Sequence, residues 1–388
     1  MALPLYYNVR NVRIRWRVTL LAVSGIALVV AAFAVLMSMS EGFASALRAT
    51  GRPDNAIIVQ RGSASELTSG VPLAQRDQIV VDARVARGPD GQPLAAGDWV
   101  IVIALPKKDG QLTNVSIRAV TPRAFQVRGG IQILEGRNFQ PGLDEVIVGR
   151  KLLDRIEGLR LGGAVKYQRK EFKIVGIFAS QGGAFESEIW GDFDTFGALF
   201  QRGAGSNSLV VRMKDPADIP ALDRWIRSNP QMQLQAVEER KYYEDQAGPL
   251  AKILKTLARM VAFIMGIGAV FGAMNTMYAI VSARTREIGT LRALGFSRRS
   301  ILLAFVIESM FLALIAGVVG CVLALPMNGF STGTGQTQSF SEIAFDFRIT
   351  PAIVGGAMAF AVAMGVLGGL LPAIRAALLP ITSALREA

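Results

Sequence analysis

Residues 18–40 read VTLLAVSGIALVVAAFAVLMSMS and contain no ionisable side chain. As an α-helix with a rise of ~1.5 Å per residue, this stretch would be about 34 Å long, more than the ~30 Å hydrocarbon core of a bilayer. A cleaved signal peptide is the alternative, because arginines precede the stretch and Ala44-Ser45-Ala46 resembles a cleavage site. A signal peptide has only ~7–15 apolar residues in its core, so residues 18–40 indicate an uncleaved membrane helix.

Three further windows have the same apolar character: Met260–Ala283, Ser300–Met327 and Ile349–Ile374. Each exceeds the ~18 residues expected of a spanning helix. The sequence therefore predicts a membrane protein with four transmembrane helices, one plus three, and a large α+β periplasmic domain inserted between helices one and two. We divide it into residues 1–40, the extracytoplasmic domain 41–245, and a stalk with three helices at 246–388.

The net charge of +12 comes from 42 Lys and Arg against 30 Asp and Glu. Its densest parts are residues 1–17 and 284–299, with a smaller excess after Arg375. Cytoplasmic loops carry excess Lys and Arg, so these segments are predicted to be cytoplasmic, with both termini inside and residues 41–259 outside. The expected location is the cell inner (plasma) membrane.

Composition excludes several kinds of chemistry. The chain has no His and one Cys, so it cannot build a His-ligated metal site, a nucleophile paired with His, or an intrachain disulfide. No Gly-Lys pair occurs, so a P-loop is absent and no cofactor is expected. Charges of both signs are interspersed between residues 41 and 259, which argues against nucleic-acid binding. The acidic pairs Glu186/Glu188 and Asp192/Asp194 favour a solvated face over a catalytic or cation site.

The extracytoplasmic segment contains seven short runs typical of strands. They are Ala56–Val59, Gln78–Val85, Trp99–Leu105, Val115–Val120, Glu145–Val148, Phe172–Phe178 and Leu209–Met213. Residues 87–93 (RGPDGQP) predict a turn that joins the second and third runs. The spacing of apolar residues predicts a helix over Ile219–Ile226.

Residues 237–259 combine charges of both signs with a helical apolar stripe, which predicts a stalk that continues the second membrane helix. Gly248-Pro249 predicts a kink or restart within it. In the membrane, Gly268 with Gly272 and Gly365 with Gly369 have the spacing that lets helices approach closely. Glu308 is an acid within an apolar window, and we interpret it as interfacial or as a helix contact, with a proton or ion pathway as the alternative.

Between the second and third windows, Ile288, Leu291 and Leu294 are spaced as the apolar face of a short helix, with Gly295 as its C-cap. Such a helix could place its apolar face in the groove of a partner. Periodicity alone leaves an ordinary positively charged loop as the alternative.

The same loop carries a family resemblance. Asn275–Met277 (NTM), Arg284–Gly289 (RTREIG) and Arg292–Gly295 (RALG) resemble the signature of the FtsX/MacB-type permeases, the type VII ABC transporter permeases. Other segments resemble the same family along nearly the whole chain. They are Tyr7–Arg10, Leu134–Arg137, Val146–Gly149, Gly368–Ala377 and Ser383–Arg386.

The resemblance implies a stand-alone permease subunit without a fused ATPase domain, itself non-catalytic. It implies two copies of an ABC ATPase subunit and a second permease, as a homodimer or a heterodimer. It also implies a coupling helix seated in the ATPase, formed by Arg284, Arg286, Glu287, Ile288, Gly289, Leu291, Arg292, Leu294 and Gly295.

ATP hydrolysis in the partner would then move the periplasmic domain (mechanotransmission) to export or extract a substrate such as a lipoprotein, peptide, lipid or drug. A periplasmic membrane-fusion adaptor enters only by analogy. The alternative is an FtsX-like signalling subunit that activates an envelope hydrolase. The substrate, the direction of transport and the role of Glu308 stay open at this point.

Overall fold

The computed structural model describes residues 16–167, 169–335 and 341–380. The chain forms two compact units. Among the described residues, the membrane unit comprises those up to Glu41, Lys252–Phe330 and those from Phe347; the globular unit comprises those in Gly42–Ala251 and Ser331–Asp346. The motifs at residues 7–10 and 383–386 lie outside the described residues.

The helices and strands are numbered in chain order. The helices are α1 (Trp16–Arg48), α2 (Leu73–Val80), α3 (Ala124–Arg128), α4 (Phe193–Leu199), α5 (Ile219–Ser228), α6 (Glu239–Ser282), α7 (Thr285–Ala293), α8 (Arg298–Ala324) and α9 (Pro351–Leu378). The strands are β1 (Asn55–Gln60), β2 (Val71–Pro72), β3 (Ala95–Pro106), β4 (Leu112–Val120), β5 (Gln132–Gly136), β6 (Glu145–Gly149), β7 (Ala164–Tyr167), β8 (Lys170–Ala179), β9 (Glu188–Asp192), β10 (Gly205–Ser206), β11 (Ser208–Arg212), β12 (Leu234–Glu238), β13 (Ser331–Gly335) and β14 (Glu342–Asp346).

In the described part of the chain, four helices are long and apolar enough to cross a membrane, namely α1, α6, α8 and α9, which confirms the predicted set of spans. Two of these helices have a side-chain cap at the N-terminus. Ser297 accepts a hydrogen bond from the Ser300 N–H at the start of α8, and Thr350 accepts one from the Ile353 N–H before Pro351 at the start of α9. The sequence thus sets where these spans begin.

Small residues let the membrane helices pack closely. A Cβ at Gly320 in α8 would lie 2.6 Å from the Ala27 carbonyl oxygen in α1, and one at Gly317 would lie 3.0 Å from the Cβ of Ala361 in α9. Without a hydrophobic driving force between helices in lipid, such close backbone approach supplies much of the packing energy.

A mixed ten-stranded sheet organises the globular unit, in the order β12-β1-β11-β3-β4-β9-β6-β8-β5, with β7 paired to β8. The pairs β4–β9 and β6–β8 are parallel and the others are antiparallel. Helix α5 buries Leu222 and Ile226, as its periodicity predicted. The sheet and its helices confirm the predicted large domain of mixed helices and strands between the first and second membrane helices.

Six of the seven predicted strands are confirmed, and the one over Gln78–Val85 is wrong. Helix α2 occupies its first part, and a turn follows in which the Asp82 carboxylate accepts a hydrogen bond from the Arg84 N–H. A short apolar run does not by itself distinguish a strand from a helix. The turn at residues 87–93 forms, with Arg87 bridged to Pro93, but it follows a helix rather than a strand.

The predicted helix restart at Gly248-Pro249 is wrong, because α6 is continuous from Glu239 to Ser282 with Pro249 in its interior. Proline removes the donor to the carbonyl four residues earlier, that of Asp245. Asp245, Gly248 and Pro249 are all exposed, so water can satisfy that carbonyl and the helix continues.

The segment between α8 and α9 contains the hairpin β13–β14. The hairpin groups with the globular unit and not with the helices on either side of it.

Candidate functional site

The predicted coupling segment folds as helix α7, which links α6 to α8. Its C-terminus is closed by two backbone hydrogen bonds, from the Gly295 N–H to the Arg292 carbonyl (3.1 Å) and from the Phe296 N–H to the Leu291 carbonyl (3.2 Å). Gly295 has a φ of +95°. This is the Schellman arrangement, which favours glycine at that position because a Cβ would be strained there.

Contrary to the prediction, helix α7 turns Ile288 of its apolar face towards its own chain. Ile288, only 2% exposed, packs with Met277 of α6, Ile301 and Phe305 of α8 and Ala373 of α9. Since Ile288 is buried within its own chain, it cannot contact a partner. An amphipathic helix in a loop buries its apolar face when neighbouring helices of the same chain can cover it.

A different set of residues, on α7 and at its C-cap Leu294, is exposed. These residues follow one another at helical spacing and form what we call the outer ridge. They are Arg286, Glu287, Thr290, Ala293 and Leu294. Leu294 is 73% exposed, whereas Leu291 and Arg292 are half-buried and Gly289 is buried. The ridge therefore combines both charge signs with a large apolar side chain.

Arg284, at the N-cap of α7, forms a buried ion pair with Glu308 of α8. Arg284 Nη1 lies 3.2 and 2.9 Å from the two Glu308 carboxylate oxygens, and Arg284 Nε donates to Glu287 Oε2 at 3.2 Å. The guanidinium also lies 5.3 Å from the centroid of the Phe305 ring. Glu308 is 4% exposed, so its charge is paired within the protein.

The C-terminal half of α7 is fastened to α9. Arg292 Nη1 donates to the Ala377 carbonyl at 2.7 Å, in the last turn of α9, where a cation is favourable. On the same helix the Arg375 guanidinium lies 5.6 Å from the centroid of the Tyr278 ring of α6. Helix α7 is thus held by polar contacts to α8 and α9 and by apolar contacts to all three spans.

The two glycine pairs have different surroundings. A Cβ at Gly365 or Gly369 would overlap Ala313 or Ser309 of α8, so these glycines lie at a close helix contact. A Cβ at Gly268 or Gly272 would meet no atom within 4 Å in the described part of the chain. The first pair therefore serves α8–α9 packing, whereas the second has no neighbouring helix among the described residues.

The globular unit contains a buried ion network around two arginines. Arg118 bonds to Glu66 (2.8 Å), Asp98 (3.0 Å) and Glu188 (2.8 Å). Arg128 bonds to Asp98 (2.5 Å) and to Glu239 (3.2 Å), the first residue of α6. The Tyr243 hydroxyl, one turn further along α6, donates to Glu66 at 3.0 Å. The base of α6 is therefore fixed into the core of the globular unit.

This network corrects the interpretation of the acidic pairs as a solvated face. Glu186 is fully buried and bonds to Arg150 at 2.7 Å, Glu188 bonds to Arg118, and Asp192 caps α4 by accepting from the Thr195 N–H. Only Asp194 of the four is exposed. The arginine partners of Glu186 and Glu188 lie 36 and 70 residues away in sequence, so no local pattern showed them. Among the described residues, no group of three or more His, Cys, Asp or Glu side chains could hold a metal ion.

Glu66 should make the unfolding free energy of the globular unit depend on pH. Burial raises the pKa of Glu66, but the charge and hydrogen bonds of Arg118 outweigh that effect and lower the pKa from 4.5 to about 2. Because the folded pKa is lowered, the stabilisation is present above about pH 4.5 and is lost as the pH falls towards 2. The difference between the unfolded and folded pKa of Glu66 corresponds to roughly 3 kcal/mol of unfolding free energy at neutral pH.

We therefore expect the difference in unfolding free energy between the wild type and Glu66→Gln to be largest at pH 7 and to shrink steadily between pH 4.5 and 2. Denaturant titrations of the full chain at several pH values would measure it. A difference that stays constant over that range would contradict the expectation.

Comparison with known proteins assigns the family. The model of the MacB-like periplasmic core domain matches residues 19–229, more than half of the chain, and that of the FtsX-like permease C-terminal domain matches residues 259–381. The chain belongs to the MacB/FtsX family of ABC transporter permeases. With its four apolar helices, this MacB/FtsX permease is a multi-pass membrane protein.

Relatives of this MacB/FtsX permease differ in how much of their length it spans. The ABC transporter permease YvrN of Bacillus subtilis is 27% identical over 95% of both chains. The macrolide export ATP-binding/permease protein MacB of Neisseria gonorrhoeae is 24% identical over 71% of this chain and 44% of its own. The pyoverdine export ATP-binding/permease protein PvdT of Pseudomonas fluorescens is 25% identical over 97% of this chain and 59% of its own. The crystal structure of the periplasmic region of MacB from Actinobacillus actinomycetemcomitans matches 50% of this chain at 12% identity and a TM-score of 0.37.

Proposed function

We propose that this permease couples ATP hydrolysis in a separate ATPase subunit to movement of its globular unit, and so exports or extracts a substrate. Two copies of the ATPase and a second permease, identical or related, would complete the complex. The relatives MacB and PvdT are named ATP-binding/permease proteins, which supports pairing of this permease with an ATP-binding subunit.

The observation that carries the proposal is the construction of α7. Its outer ridge is exposed while its opposite face is fastened to α6, α8 and α9 through Ile288, Arg284 and Arg292. A partner that pushes on the ridge therefore pushes on three membrane helices at once. We assign the ATPase contact to the ridge and give Arg284, Ile288 and Arg292 the task of transmitting force.

If the ATPase binds the ridge, the orientation of the permease in the membrane follows. The ridge lies in the arginine-rich segment 284–299, which the positive-inside rule places in the cytoplasm, where an ATPase finds ATP. Both termini would then be cytoplasmic and the globular unit extracytoplasmic. The base of α6, held by Glu239 and Tyr243 in the ion network, would carry movement into the sheet.

Substitution of Leu294 by Glu tests the proposal. It replaces an exposed apolar side chain of the ridge by a charge, and we expect at least a tenfold loss of affinity for the co-purified ATPase, about 1.4 kcal/mol. The measurement is recovery of the ATPase with the tagged permease in mild detergent, followed by its ATPase rate. Leu112→Glu is a matched control, because Leu112 is 72% exposed but lies in the globular unit.

Equal ATPase recovery with both variants would contradict the assignment of the ridge. Recovery of an envelope hydrolase together with an ATPase, and without any ATP-dependent movement of a substrate, would favour the FtsX-like signalling function instead.

A further inference from the structure

The hairpin β13–β14, which joins α8 to α9, is attached to the rest of the globular unit by non-covalent contacts. Its strands pair from Ser331 with Asp346 to Gly335 with Glu342. It belongs to the same compact unit as residues 42–251, although the chain reaches it from α8 and leaves it into α9. The chain therefore passes between the two units at four places: after Glu41, after Ala251, after Phe330 and after Asp346.

Charge complementarity holds one end of the hairpin. The Glu342 carboxylate lies 3.0 Å from Lys107 Nζ, is in direct contact with the Arg155 guanidinium, and accepts a hydrogen bond from the Thr113 hydroxyl. Lys107 follows β3 and Thr113 lies in β4, so Glu342 reaches the end of one hairpin of the large sheet. A single carboxylate thus offsets two neighbouring cations that would otherwise repel each other.

Apolar packing and backbone hydrogen bonds hold the rest of β14. Ile343, Ala344 and Phe345 are all buried, and the Phe345 ring meets the Phe43 ring edge-on at 5.6 Å. The Ala344 N–H donates to Ser187 Oγ at 2.9 Å. These contacts resemble those of a core more than those of a transient surface patch.

We propose that the β13–β14 hairpin stays docked on the rest of the globular unit at all times, so that the segment joining α8 to α9 moves with that unit. We call this docked hairpin the strut, and Glu342 is its positioning residue. Release would expose three buried apolar side chains and leave Lys107 and Arg155 without their shared carboxylate, which favours permanent docking over a latch that opens. The proposal rests on the proposed function, since it adds a third mechanical connection to those made by α1 and α6.

A covalent lock tests the strut. In a Cys321→Ser background, which removes the single native cysteine, Ser187→Cys and Ala344→Cys place two thiols across the docked contact. They are joined by oxidation or by a short bis-methanethiosulfonate linker in membranes, and the join is detected by peptide mass spectrometry. We expect most molecules to be joined, and the joined complex to keep its ATPase rate within twofold of the reduced one.

Failure of the thiols to join would overturn docking, and a tenfold or greater fall in ATPase rate that reductant reverses would overturn permanence. Absence of ATPase activity in the reduced complex as well would count against the proposed function alone, because joining is measured independently of activity.

A charge swap tests Glu342 itself. Glu342→Lys should reduce the yield of the joined product at least tenfold, because it places a third positive charge beside Lys107 and Arg155, which repel it. The double variant Glu342→Lys with Lys107→Glu should recover most of the yield, which a generally destabilised protein would not do. Glu135→Lys, at an exposed position on β5, is the matched control. An unchanged yield in Glu342→Lys would overturn the positioning role.

Discussion

Replacement of Arg284 by Met is expected to destabilise the membrane unit by about 3–5 kcal/mol. The change removes the guanidinium that contacts both oxygens of the buried Glu308 carboxylate. Burial of a charge that has lost its counter-ion is costly, and more so within a membrane. The measurement is unfolding of the purified permease by SDS titration, followed by circular dichroism.

Two further variants separate the ion pair from side-chain size. Arg298→Met, at an exposed arginine in the first turn of α8, should change stability by less than about 1 kcal/mol. Arg284→Met combined with Glu308→Leu removes both charges and should recover most of the loss, because apolar replacements of buried pairs are often neutral. Equal stability of Arg284→Met and Arg298→Met would contradict the role assigned to the pair.

The membrane spans could be predicted from the sequence because the signal is local. A bilayer requires about 20 consecutive apolar residues, and all four windows show this without knowledge of any distant contact. Helix α7 and its end at Gly295 were predictable for the same reason. The C′ glycine of a short helix is a local feature, set by the φ of one residue.

The burial of α7 was not predictable. The spacing of its apolar residues indicates an apolar face but does not indicate which residues pack against that face. Ile288 is covered by residues of α6, α8 and α9, the last of which lies about 85 residues away along the chain. Arg284 and Glu308 are 24 residues apart, and Arg118 and Glu66 are 52 apart. Such pairings depend on tertiary structure, so charged residues that looked solvated proved to be buried. One general signal was present: an acid in an apolar window needs a cation, and Arg284 was a candidate.

Replacement of Arg118 by Met is expected to destabilise the globular unit by about 3–5 kcal/mol. Arg118 contacts the buried carboxylates of Glu66 and Asp98 and the half-buried one of Glu188, so its loss leaves all three with less positive charge around them. Arg118→Lys should be intermediate, because one ammonium group cannot reproduce the planar fork that reaches several carboxylates. Denaturant unfolding of the full chain, followed by tryptophan fluorescence, would measure the loss. Trp190, one of the four tryptophans, lies at the network, and its indole donates to Glu188 at 2.8 Å.

Arg137→Met is the matched control for Arg118→Met. Arg137 also pairs with a carboxylate, that of Glu145, but its side chain is 50% exposed, so its loss should cost no more than about 1 kcal/mol. The two variants should differ in a second respect. Glu239 and Tyr243 join the base of α6 to the Arg118 network, so hydrogen exchange over residues 239–247 should rise in Arg118→Met and stay unchanged in Arg137→Met. Unchanged exchange in both variants would show that the base of α6 is held by other contacts, and would remove the ion network from the path of force transmission.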